Sequence, residues 1–261
     1  MISVFALTKI RIKLVLQNRS AAFMNIVFDL LSLMLPYLIW SEVLKSVSGS
    51  PYNQQTILAY YLSYFFSQSL STWSHALEFG VRVERGTLKF DLLKPMSSFE
   101  ILWGSWVGSV VTKFFLSVIP VAIFAFLFGS IKFIHFNFVS IFTLLISSLV
   151  YASLGFVLAL ISFQVRELHV LNHLMRALTL FLGGGLAPLE LLFTDRWMLL
   201  RHLPFSYGGY WTAKLLSVPD SVSWKMIYSI WIIGVFWIIA FLLLFRTLIN
   251  LQLKSYEASG G

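Results

Sequence analysis

The sequence contains no cysteine, and only 11% of its 261 residues are charged. The first absence excludes disulfide bonds, thiol catalysis and cysteine-ligated metals. The second excludes a soluble globular domain, because such domains carry about 25% charged residues. The sequence also lacks the motifs GxxxxGKS/T, GxSxG and HExxH. It therefore predicts no nucleotide-binding loop, no hydrolase nucleophile and no zinc-protease site.

Long apolar runs are what the sequence has instead, with 58% hydrophobic residues. A bilayer core of ~30 Å needs about 20 apolar residues in a helix, and lipid offers no partners to an open backbone. Six stretches qualify as transmembrane helices: 24–44, 56–80, 102–129, 137–162, 168–187 and 226–248. The predicted fold class is an all-α integral membrane protein with one domain over residues 1–257. Residues 258–261, ASGG, are interpreted as a cloning remnant.

The distribution of Lys and Arg predicts the orientation of these spans. With the N-terminus in the cytoplasm, twelve basic residues fall in inner segments and six in outer segments, while Lys113 lies within a span. This bias predicts that both termini are cytoplasmic. It also interprets the net charge of +8 as a consequence of topology and lipid head-group contact, and predicts no nucleic-acid partner.

The N-terminal residues 1–20 have no long apolar core and no small-residue cleavage site, so they are not typical of a signal peptide. Ile2, Phe5, Ile12 and Leu16 can share one face of an amphipathic helix, with basic residues directed to lipid head groups. The segment is predicted to be an interfacial helix. It serves either as a membrane anchor or as a frame for the docking site of a partner.

The largest predicted cytoplasmic connection, residues 82–100, is a polar island that contains a short amphipathic helix. Thr87 is predicted to cap the helix after Gly86, and Pro95 to end it after Lys94. Its two edges are Leu88, Asp91 and Leu92 on one side, and Phe90 and Leu93 on the other. These apolar side chains need a cover, either the bilayer surface or a groove on a cytoplasmic partner. Composition alone favours the bilayer surface.

The predicted outer connection carries many apolar residues but is interrupted by charges too often for a span. The pattern predicts a re-entrant hairpin over 188–205, which is tolerated only where protein or a water-filled cavity covers the backbone. The alternative is a loop that lies flat on the outer surface. Its turn and anchor residues are predicted to be Gly184, Gly185, Pro188, Pro204 and Phe205.

Charged residues near or inside the spans are the remaining candidates for function. Lys113 lies near mid-membrane, where a charge costs about 2.5–3.5 kcal/mol and normally faces protein or water. It is predicted either to meet an anionic substrate group on a substrate path or to hold two subunits together. A polar gate, or alternatively a plain salt-bridge network, is predicted from Glu78, Arg82, Arg85, Arg166 and Glu167.

A metal site is the weaker interpretation of the segment RELHVLNH. His169 and His173 are four residues apart, a spacing that zinc can use, and Glu167 is close by. A third ligand and a general base are missing from the expected places. A structural role is therefore favoured, and no metal is predicted.

The order of these elements resembles the integral-membrane permease of a bacterial ATP-binding-cassette exporter, of the type-2 permease superfamily. The resemblance covers essentially the whole chain. Its most specific residues are those of the cytoplasmic RGTLKFDLLKP, namely Gly86, Leu88, Leu92, Leu93 and Pro95. A second set lies in the outer GGGLAPLELLF and LPFSYGGY, namely Gly184, Pro188, Leu203, Pro204 and Phe205.

The resemblance implies that residues 87–94 form a coupling helix that docks on a separate cytoplasmic ATPase. It further implies two ATPase subunits, which bind ATP and magnesium, and a second permease, with the substrate path between the permeases in the inner membrane. No cofactor is expected on this chain. An ion-coupled carrier and an intramembrane metal enzyme are the alternatives. The first predicts inverted repeats and several mid-membrane acids, which the sequence lacks.

Overall fold

The structure is a computed structural model of the 261-residue chain. It describes residues 19–46, 50–93, 97–164, 168–193 and 195–254, and every regular element within these ranges is helical. Most of the predicted interfacial helix, together with residues 258–261, lies outside the described residues.

The described chain contains eleven α-helices. In order they are α1 (Arg19–Val43), α2 (Gln54–Leu70), α3 (Ser74–Glu84), α4 (Leu88–Leu92), α5 (Ser98–Lys113), α6 (Ile119–Leu127), α7 (Phe138–Ile161), α8 (Leu168–Leu182), α9 (Leu189–Leu192), α10 (Tyr210–Ser217) and α11 (Trp224–Lys254). A π-helical segment, Phe114–Val118, joins α5 to α6. Short 3-10 helices occupy Ser130–Phe133, Asp195–His202, Pro204–Gly208 and Pro219–Ser221.

Four helices are long and apolar enough to cross a membrane: Ile26–Val43, Ser98–Leu127, Phe138–Ile161 and Trp224–Leu253. They correspond to the first, third, fourth and sixth predicted stretches. The fifth stretch contains α8, which has 15 residues. The prediction of one continuous helix over 56–80 is wrong, because α2 ends at Leu70 and α3 begins at Ser74.

Hydroxyl side chains account for the break at Ser71–Trp73. Ser and Thr compete with helical hydrogen bonds by bonding to nearby backbone groups. Here the Thr72 hydroxyl accepts the N–H of Ser74 at 3.3 Å, which replaces a helical bond at the start of α3. The serine-rich run SQSLSTWS in the sequence is the local cause of the break.

Pro120 explains the π-helical segment in the third predicted span. Proline has no backbone N–H and cannot bond to the carbonyl four residues earlier, so the ladder must adjust. The N–H of Ile119 instead bonds to the carbonyl of Phe114, five residues back. This single wide turn lies directly after Lys113.

Helix α7 is the centre of the bundle, with 72% of its span buried inside the protein. It packs against α11 along most of its length and also contacts α3 and α10. On the other side, α2 packs against α10 and α1. Helices α1 and α11 keep wide apolar faces exposed, as expected for surfaces that contact lipid.

The segment 183–209, here called the outer segment, is irregular but largely buried. A buried carbonyl without a partner costs about 1–3 kcal/mol. Aromatic side chains from five surrounding helices supply the missing donors. The bonds are Trp40 Nε1 and Tyr61 OH to Leu186 O, Tyr60 OH to Gly184 O, Tyr151 OH to Phe205 O, Trp211 Nε1 to Arg201 O, and Trp237 Nε1 to His202 O, all between 2.8 and 3.0 Å.

A buried ion pair ties α9 to α10 at the same end of the molecule. Lys214 Nζ lies 2.9 Å from Glu190 Oε1, which also accepts the Tyr52 hydroxyl at 2.8 Å. Burial raises the pKa of Glu190, but the charge and hydrogen bond of Lys214 outweigh this and lower it below its usual range. The stability from this pair is therefore complete above the ordinary Glu pKa of about 4.5 and is lost as the pH falls through the lowered value.

We expect Gly184→Ala to destabilise the protein more than Gly129→Ala. Both glycines have a left-handed φ, +81° and +67°, so both substitutions cost roughly 1–2 kcal/mol of backbone strain. A Cβ at Gly184 would also lie 2.4 Å from the Tyr60 hydroxyl, whereas one at Gly129 would have nothing within 4 Å. Melting temperatures of the two purified variants in one detergent test this. Equal losses would contradict the packing of the outer segment.

Tyr60→Phe and Tyr64→Phe form a matched pair on one helix. Removing the Tyr60 hydroxyl leaves the Gly184 carbonyl without its donor and is expected to cost about 1–3 kcal/mol. Among the described residues the buried Tyr64 hydroxyl has no hydrogen-bond partner, so its removal is expected to be neutral or stabilising. Thermal unfolding of both variants is the measurement. A destabilised Tyr64→Phe beside an unchanged Tyr60→Phe would refute the assignment of donors.

Lys214→Met alone is expected to cost about 3–5 kcal/mol, because it leaves Glu190 buried without its cation. Lys214→Met combined with Glu190→Leu is expected to recover most of that loss, since apolar replacement of a whole buried pair is often neutral. A double-mutant cycle on melting temperature measures the coupling. Additive losses from the two single variants would show that the pair contributes no coupling energy.

Candidate functional site

The short helix α4 projects from the end of α3 through a tight turn. Gly86 is buried and adopts φ +67°, a left-handed conformation that favours glycine. Thr87 precedes the helix as predicted, but its side chain makes no cap; its hydroxyl donates to the Arg82 carbonyl at 3.4 Å. Thr87 therefore occupies the predicted N-cap position without a capping hydrogen bond, because its backbone angles are helical and its hydroxyl bonds backward to α3.

Two contacts fix α4 against α3. Arg82 Nη1 lies 2.8 Å from Asp91 Oδ2, and the carboxylate is nearly buried. Leu88 is fully buried at the start of the helix. The side of α4 that bears Leu88 and Asp91 therefore holds the helix in place and is not available to a partner.

The other edge of α4 is open. Phe90 is 60% exposed and Leu93 is 82% exposed, while Lys89 lies over the Phe90 ring at 5.6 Å. An anchored helix that presents large apolar side chains beside a cation has the composition of a docking surface. Nothing is described for the side chain of Leu92, and Lys94 and Pro95 lie outside the described residues.

A second candidate site lies inside the membrane around Lys113. This residue ends α5 and is the sixteenth residue of the 30-residue candidate span Ser98–Leu127. Its ammonium group donates to the hydroxyl of Thr72 at 3.2 Å, at the break between α2 and α3. The charge of Asp29 on α1 attracts this ammonium group, and the charge of Arg176 on α8 repels it.

The predicted polar gate is only partly assembled. Arg82 pairs with Asp91 of α4, and Arg85 is exposed. Glu78 is half-buried on α3. Arg166 and Glu167, the proposed partners across the gate, lie outside the described residues. The described chain thus shows a link between α3 and α4, and the gate itself stays a prediction.

The outer-segment residues singled out from the sequence are mostly buried in the protein. Gly184, Gly185, Pro188 and Pro204 are buried and Phe205 is half-buried.

The predicted alternative of a metal site lies largely outside the described residues, because Glu167 and the side chain of His169 are not described. His173 is exposed. No group of three metal-ligating side chains occurs within the described ranges.

Sequence reasoning missed the residues that surround Lys113. Thr72 was hidden because it lies in an apolar stretch that looks like one continuous span. Its serine-rich surroundings are the signal that could have indicated the break. Arg176 was assigned to the cytoplasmic flank, although it lies eight residues inside α8.

Comparison with known proteins identifies one matching family. Residues 2–216 match the ABC-2 type transporter family. No curated protein and no solved structure matches the chain. The family match covers most of the sequence, and the structure contributes four helices that can cross a membrane. This chain therefore belongs to the ABC-2 type transporter family and is a multi-pass membrane permease of an ATP-binding-cassette transporter.

Proposed function

We propose that this permease is the membrane-spanning subunit of an ATP-driven exporter and that the ATPase subunit docks on α4. The observation that carries the proposal is that one side of this helix is fixed in the protein while the other side is exposed. Leu88 and Asp91 fix it to α3, while Phe90 and Leu93 stay exposed. A rigid element with an uncovered apolar edge transmits force, because the partner that covers the edge cannot move without moving α3.

The ATPase is proposed to be a separate chain, present in two copies, that binds ATP and magnesium. This permease carries no GxxxxGKS/T motif, so the nucleotide phosphates need another protein to hold them. Two ATPases require two permease subunits, of the same or a similar chain. We place the substrate path between them, with Lys113 on that path.

For the topology we propose six spans with both termini in the cytoplasm of a bacterial cell, the inner membrane as location, and one domain over residues 1–257. In this arrangement α2 and α3 together make the second span, with the break inside it, and α8 belongs to the fifth. Residues 188–205 of the outer segment are proposed to enter the outer leaflet as a re-entrant hairpin. Its dense aromatic hydrogen bonding supports this, because only a covered backbone is stable at that depth.

Leu93→Asp is expected to abolish association with the ATPase while leaving membrane insertion intact. A new unpaired charge buried in a docking groove costs about 3–5 kcal/mol. Leu199→Asp is the matched control, since Leu199 is 81% exposed against 82% for Leu93 but lies on the outer segment. The measurement is co-purification of the ATPase encoded beside the permease gene. Full recovery with Leu93→Asp, or equal loss with both variants, would refute docking through α4.

A further inference from the structure

One face of the short helix α4 is left uncovered by the described chain. Lys89, Phe90 and Leu93 share this face, because residues three and four positions apart are neighbours on a helix. Phe90 is 60% exposed, Leu93 is 82% exposed, and Lys89 is exposed as well. The N–H of Leu93 bonds to the carbonyl of Lys89 at 3.3 Å, so Leu93 continues the helical turn. The uncovered face therefore consists of two large apolar side chains and one cation.

The acid of α4 does not offset this cation. The helix Leu88–Leu92 contains two charged residues, Lys89 and Asp91. The carboxylate of Asp91 lies 2.8 Å from Arg82 Nη1 of α3 and is nearly buried. The negative charge of the helix is thus neutralised inside the protein, while its positive charge is presented outward.

The ammonium group of Lys89 lies at the border of the apolar face. It is 5.6 Å from the centre of the Phe90 ring, which is within the range of cation–π attraction. The salt bridges among the residues that the structure describes involve other side chains. Because an aromatic ring attracts the charge without taking up a hydrogen bond, the three N–H groups of Lys89 are available to an acceptor on a partner.

The charge pattern favours a protein groove over the bilayer surface as the cover of this face. Segments that bind anionic membrane surfaces carry clusters of about 4–8 Lys or Arg residues, whereas the face of α4 carries only Lys89. Interfaces between proteins combine a buried apolar centre with a charged rim. One cation beside two large apolar side chains has this composition, and it requires one acid on the other side.

We propose that the ATPase surface that receives α4 is an apolar groove with a carboxylate at its rim, and that this carboxylate binds the ammonium group of Lys89. The inference rests on the docking function proposed above and names the chemistry of the partner's surface. Phe90 and Leu93 supply the apolar contact. Lys89 steers the encounter and fixes the register of α4 in the groove, which is what complementary charges contribute to an interface.

The first experiment measures how fast the ATPase encoded beside the permease gene associates with purified permease in phosphatidylcholine nanodiscs. The screening length is ~10 Å at about 0.1 M NaCl and ~3 Å at about 1 M, so Lys89 attracts the partner mainly at the lower concentration. Lys89→Met is expected to slow association about threefold to fivefold at low salt, the effect of one exposed ion pair, and hardly at high salt. Lys89→Arg is expected to keep the wild-type rate. An unchanged rate in Lys89→Met at low salt overturns the proposal.

Lys132→Met is the matched control. Lys132 is also exposed and also lies over the ring of the phenylalanine that follows it, 5.1 Å from the centre of the Phe133 ring. It follows the candidate span Ser98–Leu127, whereas α4 precedes that span, so the two lysines lie at its opposite ends. Its substitution is expected to leave association unchanged. An equal loss in Lys132→Met would show a general effect of the positive charge of the protein and would overturn the proposal.

Charge reversal tests the acid of the partner directly. Lys89→Glu places two negative charges in contact and is expected to weaken association by about tenfold or more. Each exposed Asp and Glu of the ATPase is then changed to Lys in turn. One of these changes is expected to restore association with the Lys89→Glu permease. Wild-type association of Lys89→Glu, or failure of every change to restore it, overturns the proposal.

The bilayer surface is tested as the alternative cover. A solvent-sensitive fluorophore attached to Leu93→Cys reports on one position, because the native chain contains no cysteine. Without the ATPase its emission is expected to be that of an aqueous environment, in phosphatidylcholine and phosphatidylglycerol nanodiscs alike. Emission typical of an apolar environment in either lipid assigns this face to the bilayer and overturns the proposal.

The proposal and the docking function can fail separately. Loss of association in Leu93→Asp together with wild-type association in the Lys89 variants removes the carboxylate at the rim and keeps docking through α4. Full association in Leu93→Asp removes docking through α4 itself, whatever the Lys89 variants do.

Discussion

Hydrogen bonds from aromatic side chains to an irregular backbone are the interaction on which this structure depends. The outer segment leaves carbonyl groups that no helical ladder satisfies, and a buried carbonyl without a partner costs about 1–3 kcal/mol. Tyr60, Tyr61 and Tyr151 donate to it, as do three tryptophans. Because the donors come from α1, α2, α7, α10 and α11, each bond also joins one helix to the others. The segment therefore organises the outer half of the bundle.

Glycine is required where tyrosine side chains approach the backbone closely. A Cβ at Gly184 or Gly185 would meet a tyrosine hydroxyl at 2.4 or 2.5 Å, and one at Gly208 would meet the Tyr151 hydroxyl at 2.3 Å. The glycines of GGGLAP and YGGY thus leave the space that the tyrosine side chains of α2 and α7 occupy. The Glu190–Lys214 pair adds a charged link at the same end. The outer half is consequently the more constrained part of the described chain.

The inner half is built differently, around interruptions of helices. Helix α3 has 11 residues, about 16 Å in length. It begins directly after the break, where Thr72 accepts a hydrogen bond from Lys113, and ends at Glu84, two residues before Gly86 in the turn to α4. The proposed ATPase-docking helix and the contact between Thr72 and Lys113 therefore lie at opposite ends of one short helix.

The sequence by itself determined the class of protein and the elements with strong local patterns. Apolar length predicted the four long helices, and the RGTLKFDLLKP pattern predicted a short helix with Phe90 and Leu93 on an apolar edge. Only the tertiary structure decided what depends on contacts between distant residues. The hydrogen bond from Lys113 to Thr72, at the break Ser71–Trp73, joins two predicted spans. In the sequence the tyrosine donors look like ordinary residues of an apolar helix. Only the fold places the carbonyl groups of Gly184 and Leu186 beside them. Periodicity and composition describe one segment at a time, whereas the bonds of Lys113 and the tyrosine donors join residues 41 to 125 positions apart.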